Sequence, residues 1–253
     1  MTSAPKSICL VNSDNIIERE QSVIAESIFE RIAMLEKKLN DLKGSIIQFS
    51  SHVQHMIDSS IRGLVNRDEE ILRAVIDKDE PMANDFELGI EEHCIHLIAQ
   101  FQPRAKDLRT VLVIHNMDNA LERMGDHAVN IAESALELIK KFPIKPFIDI
   151  PRMSDVSRSM LDETINSFIK EDPALARRVC EEDSILDGLR DQIIRELITF
   201  MASNTSIIGE CLHILRIADN LERIGDLSTN ICEDVIFMAQ GKTIKHHKDK
   251  EGS

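Results

Sequence analysis

LERMGDHAVNIAE at residues 121–133 and LERIGDLSTNICE at residues 221–233 decide how this chain folds. They stand one hundred residues apart and agree at eight of thirteen positions. Within the first, Leu121, Met124, Ala128 and Ile131 recur at steps of three and four, the spacing of the buried seam of a bundled helix. That seam extends back through Met117 and Ile114 and on through Ala135 and Leu138. The second copy keeps the pattern with Leu221, Ile224 and Ile231, flanked by Ile214, Ile217, Val235 and Met238. Two long helices written to one design mark an internal duplication.

Matches between the halves extend upstream. Asp68 corresponds to Asp172, Arg73 to Arg177 and Val75 to Val179 at an offset of 104, which falls to 100 by Glu122 and Glu222. After a flexible lead at residues 1–14, with Asn12, Ser13 and Asp14 as cap candidates, the pattern is helical to Arg67. Gly44 and Gly63 leave one long helix or two in line. EEILRAVIDKD is a short piece, and Asp79-Glu80-Pro81 reads as a fresh helix start that runs to about Phe101. Pro103 closes it, and the next helix spans about 105–141. FPIKPFIDIP, residues 142–151, is the linker. Beyond it come a helix marked by Val156, Met160, Ile165 and Phe168, the short segment ALARRVCEED, a helix over SILDGLRDQIIRELITFMA, and a last helix to Gln240. Residues 241–253 form a basic tail. Three amphipathic helices close one core, so the expected fold is all-α, with two tandem three-helix bundles at 15–141 and 152–240.

Composition narrows the function. Aromatics make up 4% of the 253 residues, with no Trp or Tyr, which disfavours strands. The formal net charge of −14 excludes nucleic acid as a direct ligand, since phosphate backbones need a basic surface. Cys9, Cys94, Cys180, Cys211 and Cys232 are odd in number, scattered and without a CxxC. That argues against a disulfide framework or zinc cluster and fits a reducing compartment. No leader-like start and no membrane-length apolar run are present, so a soluble cytoplasmic protein is expected. ExxH pairs of the di-iron kind, phosphate loops, GxGxxG, GxSxG and HExxH are all missing, and no nucleophile stands with a base. The expectation is a protein that is not an enzyme.

What the repeated string does contain is a recurring cost. Glu122 with Asp126, and Glu222 with Asp226, are carboxylates one helical turn apart, where like charges repel. Gly125 and Gly225 interrupt the helices at about 1 kcal/mol each relative to Ala. Asp183 with Asp187 repeats the acidic spacing on the middle helix of the second half, and Glu80, Asn84, Glu87 and Glu91 form a stripe in the first. Oxygen-rich pairs on neighbouring helices suit cations such as iron, manganese or magnesium. The bland alternative is that acidic pairs in so negative a chain are only solvated. Arg123 and Arg223 then pair with nearby acids, and Asn130 and Asn230 satisfy polar groups. His127 lacks a counterpart at Leu227 and reads as a surface residue, as do His93 and His96; His246 and His247 lie in the tail.

The two LERxGD copies, the stretch QPRAKDLRTVL at residues 102–112 and the duplicated layout resemble the PhoU family, accessory and regulatory proteins of bacterial phosphate uptake. The resemblance covers about residues 35–240. It implies two similar three-helix bundles. It also implies negative regulation of phosphate uptake through contact with the phosphate ABC transporter and its partner sensor histidine kinase, and a homodimer. Some members hold multinuclear metal clusters on E/DxxxD pairs. Carried over, the pairs are Glu122 with Asp126, Glu222 with Asp226 and Asp183 with Asp187. The fourth would be Glu80 with Asn84, where an amide replaces a carboxylate, so the first-half site is expected to be weaker or to use Glu87 or Glu91. The ion implied is iron first, or manganese, zinc or magnesium, with no organic cofactor. The alternatives are a metal-storage helical protein and an accessory protein of a different phosphate permease.

Overall fold

A computed structural model describes residues 13–241, with side chains from Phe29 onward. The lead at 1–12 and the tail from 242 lie outside the described residues. Among the described residues, seven α-helices carry the fold: α1 (Ser13–Asn66), α2 (Glu69–Ala74), α3 (Glu80–Phe101), α4 (Ala105–Ile139), α5 (Asp149–Lys170), α6 (Pro173–Ser203) and α7 (Ile208–Gln240). The described residues contain no strand.

The first helix is one continuous rod of 54 residues, so neither glycine breaks it. Gly63 instead admits α2: a Cβ there would stand 2.6 Å from the Leu72 side chain. The turn that follows is built twice. Arg67 and Glu171 both take left-handed backbone, with φ of 56° and 51°. Asp68 and Asp172 then bond back to the Gly63 and Ser167 carbonyls at 2.9 Å. Each Asp caps the next helix, accepting from the N–H groups two and three residues on. The matched positions in the sequence are thus matched positions in the fold.

The middle helices differ from the expectation. α3 begins at Glu80 with Pro81 in its first turn, as read, but it does not start from a loop. The chain runs from α2 to α3 through a π-helical turn, Val75–Asp79. Pro81 has no N–H to give, and the wide turn before it accommodates that loss by letting the Glu80 N–H reach the Val75 carbonyl five residues back. The drop in offset from 104 to 100 falls across this stretch. In the second half ALARRVCEED is not a separate segment, because α6 continues unbroken from Pro173 to Ser203. The linker is also shorter than read, with Pro151 inside the first turn of α5. Lys145 pins it through ion pairs to Asp149 and Glu196.

Each half is a three-helix bundle, α1 with α3 and α4, and α5 with α6 and α7. The bundles are not separate bodies. The most extensive contact in the molecule joins α4 to α7, and one hydrophobic core runs through both halves. These two helices lie antiparallel. Arg109 donates to the Met238 carbonyl at 3.4 Å, Asn116 to Asp234 at 3.0 Å, and His127 meets Asn220 at 2.8 Å. Leu121, Met124, Leu221 and Ile224 are fully buried, as their spacing requires. Cys180 and Cys232, distant in sequence, meet inside the second bundle as free thiols, with Thr164 Oγ1 at 3.2 Å from Cys232 Sγ.

Candidate functional site

With Leu121 and Leu221 buried, the helical repeat turns Glu122, Asp126, Glu222 and Asp226 away from the α4–α7 seam and toward α3 and α6. In the second half these acids act on one another. Burial raises the Glu222 carboxyl above its ordinary value, and Asp226 and Asp187 add to the shift. Burial and Asp187 raise Asp226 in the same way. Asp183 reaches in from α6, with Oδ1 3.4 Å from where a Cβ on Gly225 would stand, and such a Cβ would run into Leu186. Gly225 is therefore what lets α6 approach α7 beside the acids. Arg190 tempers this cluster from α6, pairing with Asp219 at 2.6 Å and acting on Glu222.

The first half is arranged differently. Burial, Asp126 and Glu87 raise the Glu122 carboxyl. The facing residue at Gly125 is Ala83, whose Cβ is 3.7 Å from where a glycine Cβ would stand. Glu87 and Glu91 come to this cluster. Neither Glu80 nor Asn84 figures among the groups acting on Glu122 or Asp118.

Asp118 is the residue that sequence reasoning missed. It lies on α4 one turn before Glu122 and is 1% exposed. Its Oδ1 is buried without a hydrogen-bond partner. Burial pushes its carboxyl up to about 8, with Glu87, Glu91 and Glu122 adding to the shift. Cys94 lies behind it, its thiol pushed up to about 12 by burial, Asp118 and Glu91. The available signal was spacing: Asp118, Glu122 and Asp126 fall at successive fours on one helix face.

His127 is not an ordinary surface residue. It is half-buried at the junction of the halves, and burial lowers its pKa. His93 and His96 line a groove of about 590 Å³ with Asp41, between α1 and α3. A second groove of about 630 Å³, lined by Arg73, Glu133, Lys140, His213, Arg216 and Asn220, lies between α2, α4 and α7, and none of the acids above enters it.

The donor chemistry of both faces suits a hard or borderline cation: oxygen ligands, clustered negative charge and, in the first half, an unpartnered buried carboxylate oxygen. Among the described residues, no three His, Cys, Asp or Glu side chains converge closely enough to form a finished cage. Side chains would have to rotate inward around an ion.

Comparison with known proteins gives consistent matches. A family model described as the PhoU domain matches residues 46–135 and again 150–235. A phosphate-specific transport system accessory protein PhoU homolog from Aquifex aeolicus is 36% identical over 217 residues, covering 86% of this chain and 98% of that protein. The phosphate-specific transport system accessory protein PhoU of Escherichia coli is 30% identical over 209 residues, covering 83% and 86%. The crystal structure of PhoU from Pseudomonas aeruginosa superposes with a TM-score of 0.78 at 27% identity, over 82% of this chain and 99% of that one. That of the phosphate transport system regulatory protein PhoU from Streptococcus pneumoniae gives 0.78 at 27%, over 84% and 100%.

Proposed function

The chain belongs to the PhoU family, and from that premise we propose that it is a non-enzymatic cytoplasmic regulator that restrains phosphate uptake. Its targets are the phosphate ABC transporter and the sensor histidine kinase of phosphate starvation, which it meets by direct docking, as a homodimer. The observation that carries this reading is the double family match, one over each bundle, together with relatives named as accessory proteins of phosphate-specific transport. Family membership speaks for a regulatory accessory protein rather than a catalyst. Among the described residues, no helix is long and apolar enough to cross a membrane, so contact with a transporter would be made from its side.

The carboxylate faces supply the switch in this proposal. Glu122, Asp126 and Glu87 in one half, and Glu222, Asp226, Asp183 and Asp187 in the other, would hold iron or another divalent or trivalent ion. A bound ion neutralises clustered charge and gives an anion such as phosphate a point of attachment that bare acids refuse. The residues' own part is to gather the charge on two related faces, with Glu122, Glu87, Glu222 and Asp183 half-buried, where screening is weaker, and Asp126, Asp226 and Asp187 exposed.

The test is genetic. Cells grown in abundant phosphate and lacking this protein should take up phosphate faster and switch on a starvation reporter. Restoring the wild-type chain should reverse both. Unchanged uptake and a silent reporter in the deletion strain would refute the reading.

A further inference from the structure

Two thiols that the cation and docking readings leave unused meet where α6 packs on α7. Cys180 Sγ lies 3.9 Å from the Thr229 carbonyl oxygen. A helical carbonyl points along the axis toward the residues one turn on, so this contact sets the Cys180 sulfur beside Cys232. The two side chains share a hydrogen bond. Thr164 Oγ1, on α5, stands 3.2 Å from Cys232 Sγ. The sulfurs differ in access: Cys94, Cys211 and Cys232 are buried, whereas Cys180 is half-buried. We infer that Cys180 and Cys232 form a modification site, a dithiol that hydrogen peroxide converts to a reversible disulfide bridging α6 and α7. The inference stands apart from metal binding and from the docking partner.

The pair divides the chemistry. The hydrogen bond from Cys232 holds the Cys180 thiol below its ordinary value, against burial, Glu233 and Asp183, which raise it. That bond and burial push the Cys232 thiol up, so Cys180 supplies the thiolate and Cys232 stays protonated. The Cys180 thiolate attacks one oxygen of hydrogen peroxide. The O–O bond breaks, a sulfenic acid forms on Cys180, and the departing hydroxide takes up the proton that the thiol released and leaves as water. The Cys232 sulfur then attacks the Cys180 sulfur. The S–S bond forms, the S–O bond breaks, and hydroxide leaves with the Cys232 proton as a second water. The two thiols lose two electrons, and peroxide is reduced to two waters. The surroundings select the oxidant. A half-buried sulfur under the field of Asp183 and Glu233 admits a small neutral molecule and disfavours the bulky, anionic disulfide of glutathione. A reducing compartment returns the bridge to thiols, which suits a transient modification and not a structural disulfide.

The experiment treats the reduced full chain with hydrogen peroxide and, in parallel, with oxidised glutathione. Remaining thiols are then blocked, and tryptic peptides are mapped by mass spectrometry. Peroxide should join the peptides that carry Cys180 and Cys232, and dithiothreitol should release them. Oxidised glutathione should leave both thiols free. Cys232→Ser removes the second sulfur and should leave a sulfenic acid on Cys180 that dimedone traps. Cys94→Ser with Cys211→Ser should bridge as wild type does. Wild type in which Cys180 and Cys232 both stay reduced under peroxide overturns the inference, as does a bridge from Cys180 to any other cysteine. Bridging by oxidised glutathione as fast as by peroxide overturns the choice of oxidant. The wild-type measurement needs no variant, so a folding defect in Cys232→Ser cannot hide the answer.

Discussion

On α6, Asp183 reaches toward Gly225 and Arg190 stands by to temper the acids; on α3, the matching places hold Ala83 and Ile90, and a buried Asp118 on α4 has no cationic neighbour acting on it. The comparison shows how a duplicated fold diverges. The backbone plan, with its repeated turn, repeated Asp cap and repeated glycine, is held in common. The acids have moved between helices: the one opposite Gly225 stands on α6, whereas the first half carries its buried acid on α4. The helix contact has diverged with them: a Cβ at Gly225 collides with Leu186, whereas one at Gly125 meets only ordinary contacts near 3.7 Å.

The largest expected effects should not tell the halves apart. Leu121 and Leu221 are both fully buried in the shared hydrophobic core. Leu221→Ala should cost about 2–5 kcal/mol, and Leu121→Ala a similar amount, measured by urea unfolding. A near-neutral result in either would mean that the shared core is wrongly placed.

The glycines should separate the halves sharply. Gly225→Ala forces Leu186 aside and should destabilise by about 1–3 kcal/mol. Gly125→Ala should be neutral or gain up to about 1 kcal/mol from helix propensity. Equal losses at both positions would erase the difference in helix approach.

Asp118 gives the next effect, in metal-free protein. Its folded value is raised to about 8, so ionisation is penalised in the folded state only. Below about pH 4 the group is protonated in both states and contributes nothing. As pH rises from there to about 8, wild type loses stability relative to Asp118→Asn by about 1.4 kcal/mol per pH unit, and the gap then stays level. A gap that is constant with pH would mean that the carboxyl is not buried as described.

The smallest effect belongs to the outer acids. Glu222→Ala with Asp226→Ala should change stability by no more than about 0.5 kcal/mol, while metal content falls. Loss of helical circular dichroism in that variant would show that these acids support the fold instead.

Much of this architecture was legible in the sequence. The apolar seams of α4 and α7 gave the helices and their buried faces, and Asp68 with Asp172 gave the repeated turn. The π turn before Pro81 was not legible, because a proline after acidic residues carries the same signal whether a helix begins there or continues through a widened turn. The continuity of α6 was hidden by Glu181, Glu182 and Asp183, polar residues that interrupt the apolar rhythm without bending the helix. For the site, the pairs on α4 and α7 were readable from their spacing. Asp118 was not, because an acid at a seam-like position looks like one more polar interruption until the packing shows it buried. Glu80 and Asn84 looked equivalent to Asp183 and Asp187 only while the extra turn between the halves went uncounted.

The most direct test of the account is binding of the purified phosphate transporter ATPase to this protein, measured with Mn²⁺ and again with chelator, for wild type and for Glu222→Ala with Asp226→Ala. The account predicts a stable complex whose affinity depends on the cation and falls in the double variant. No complex under either condition would contradict it.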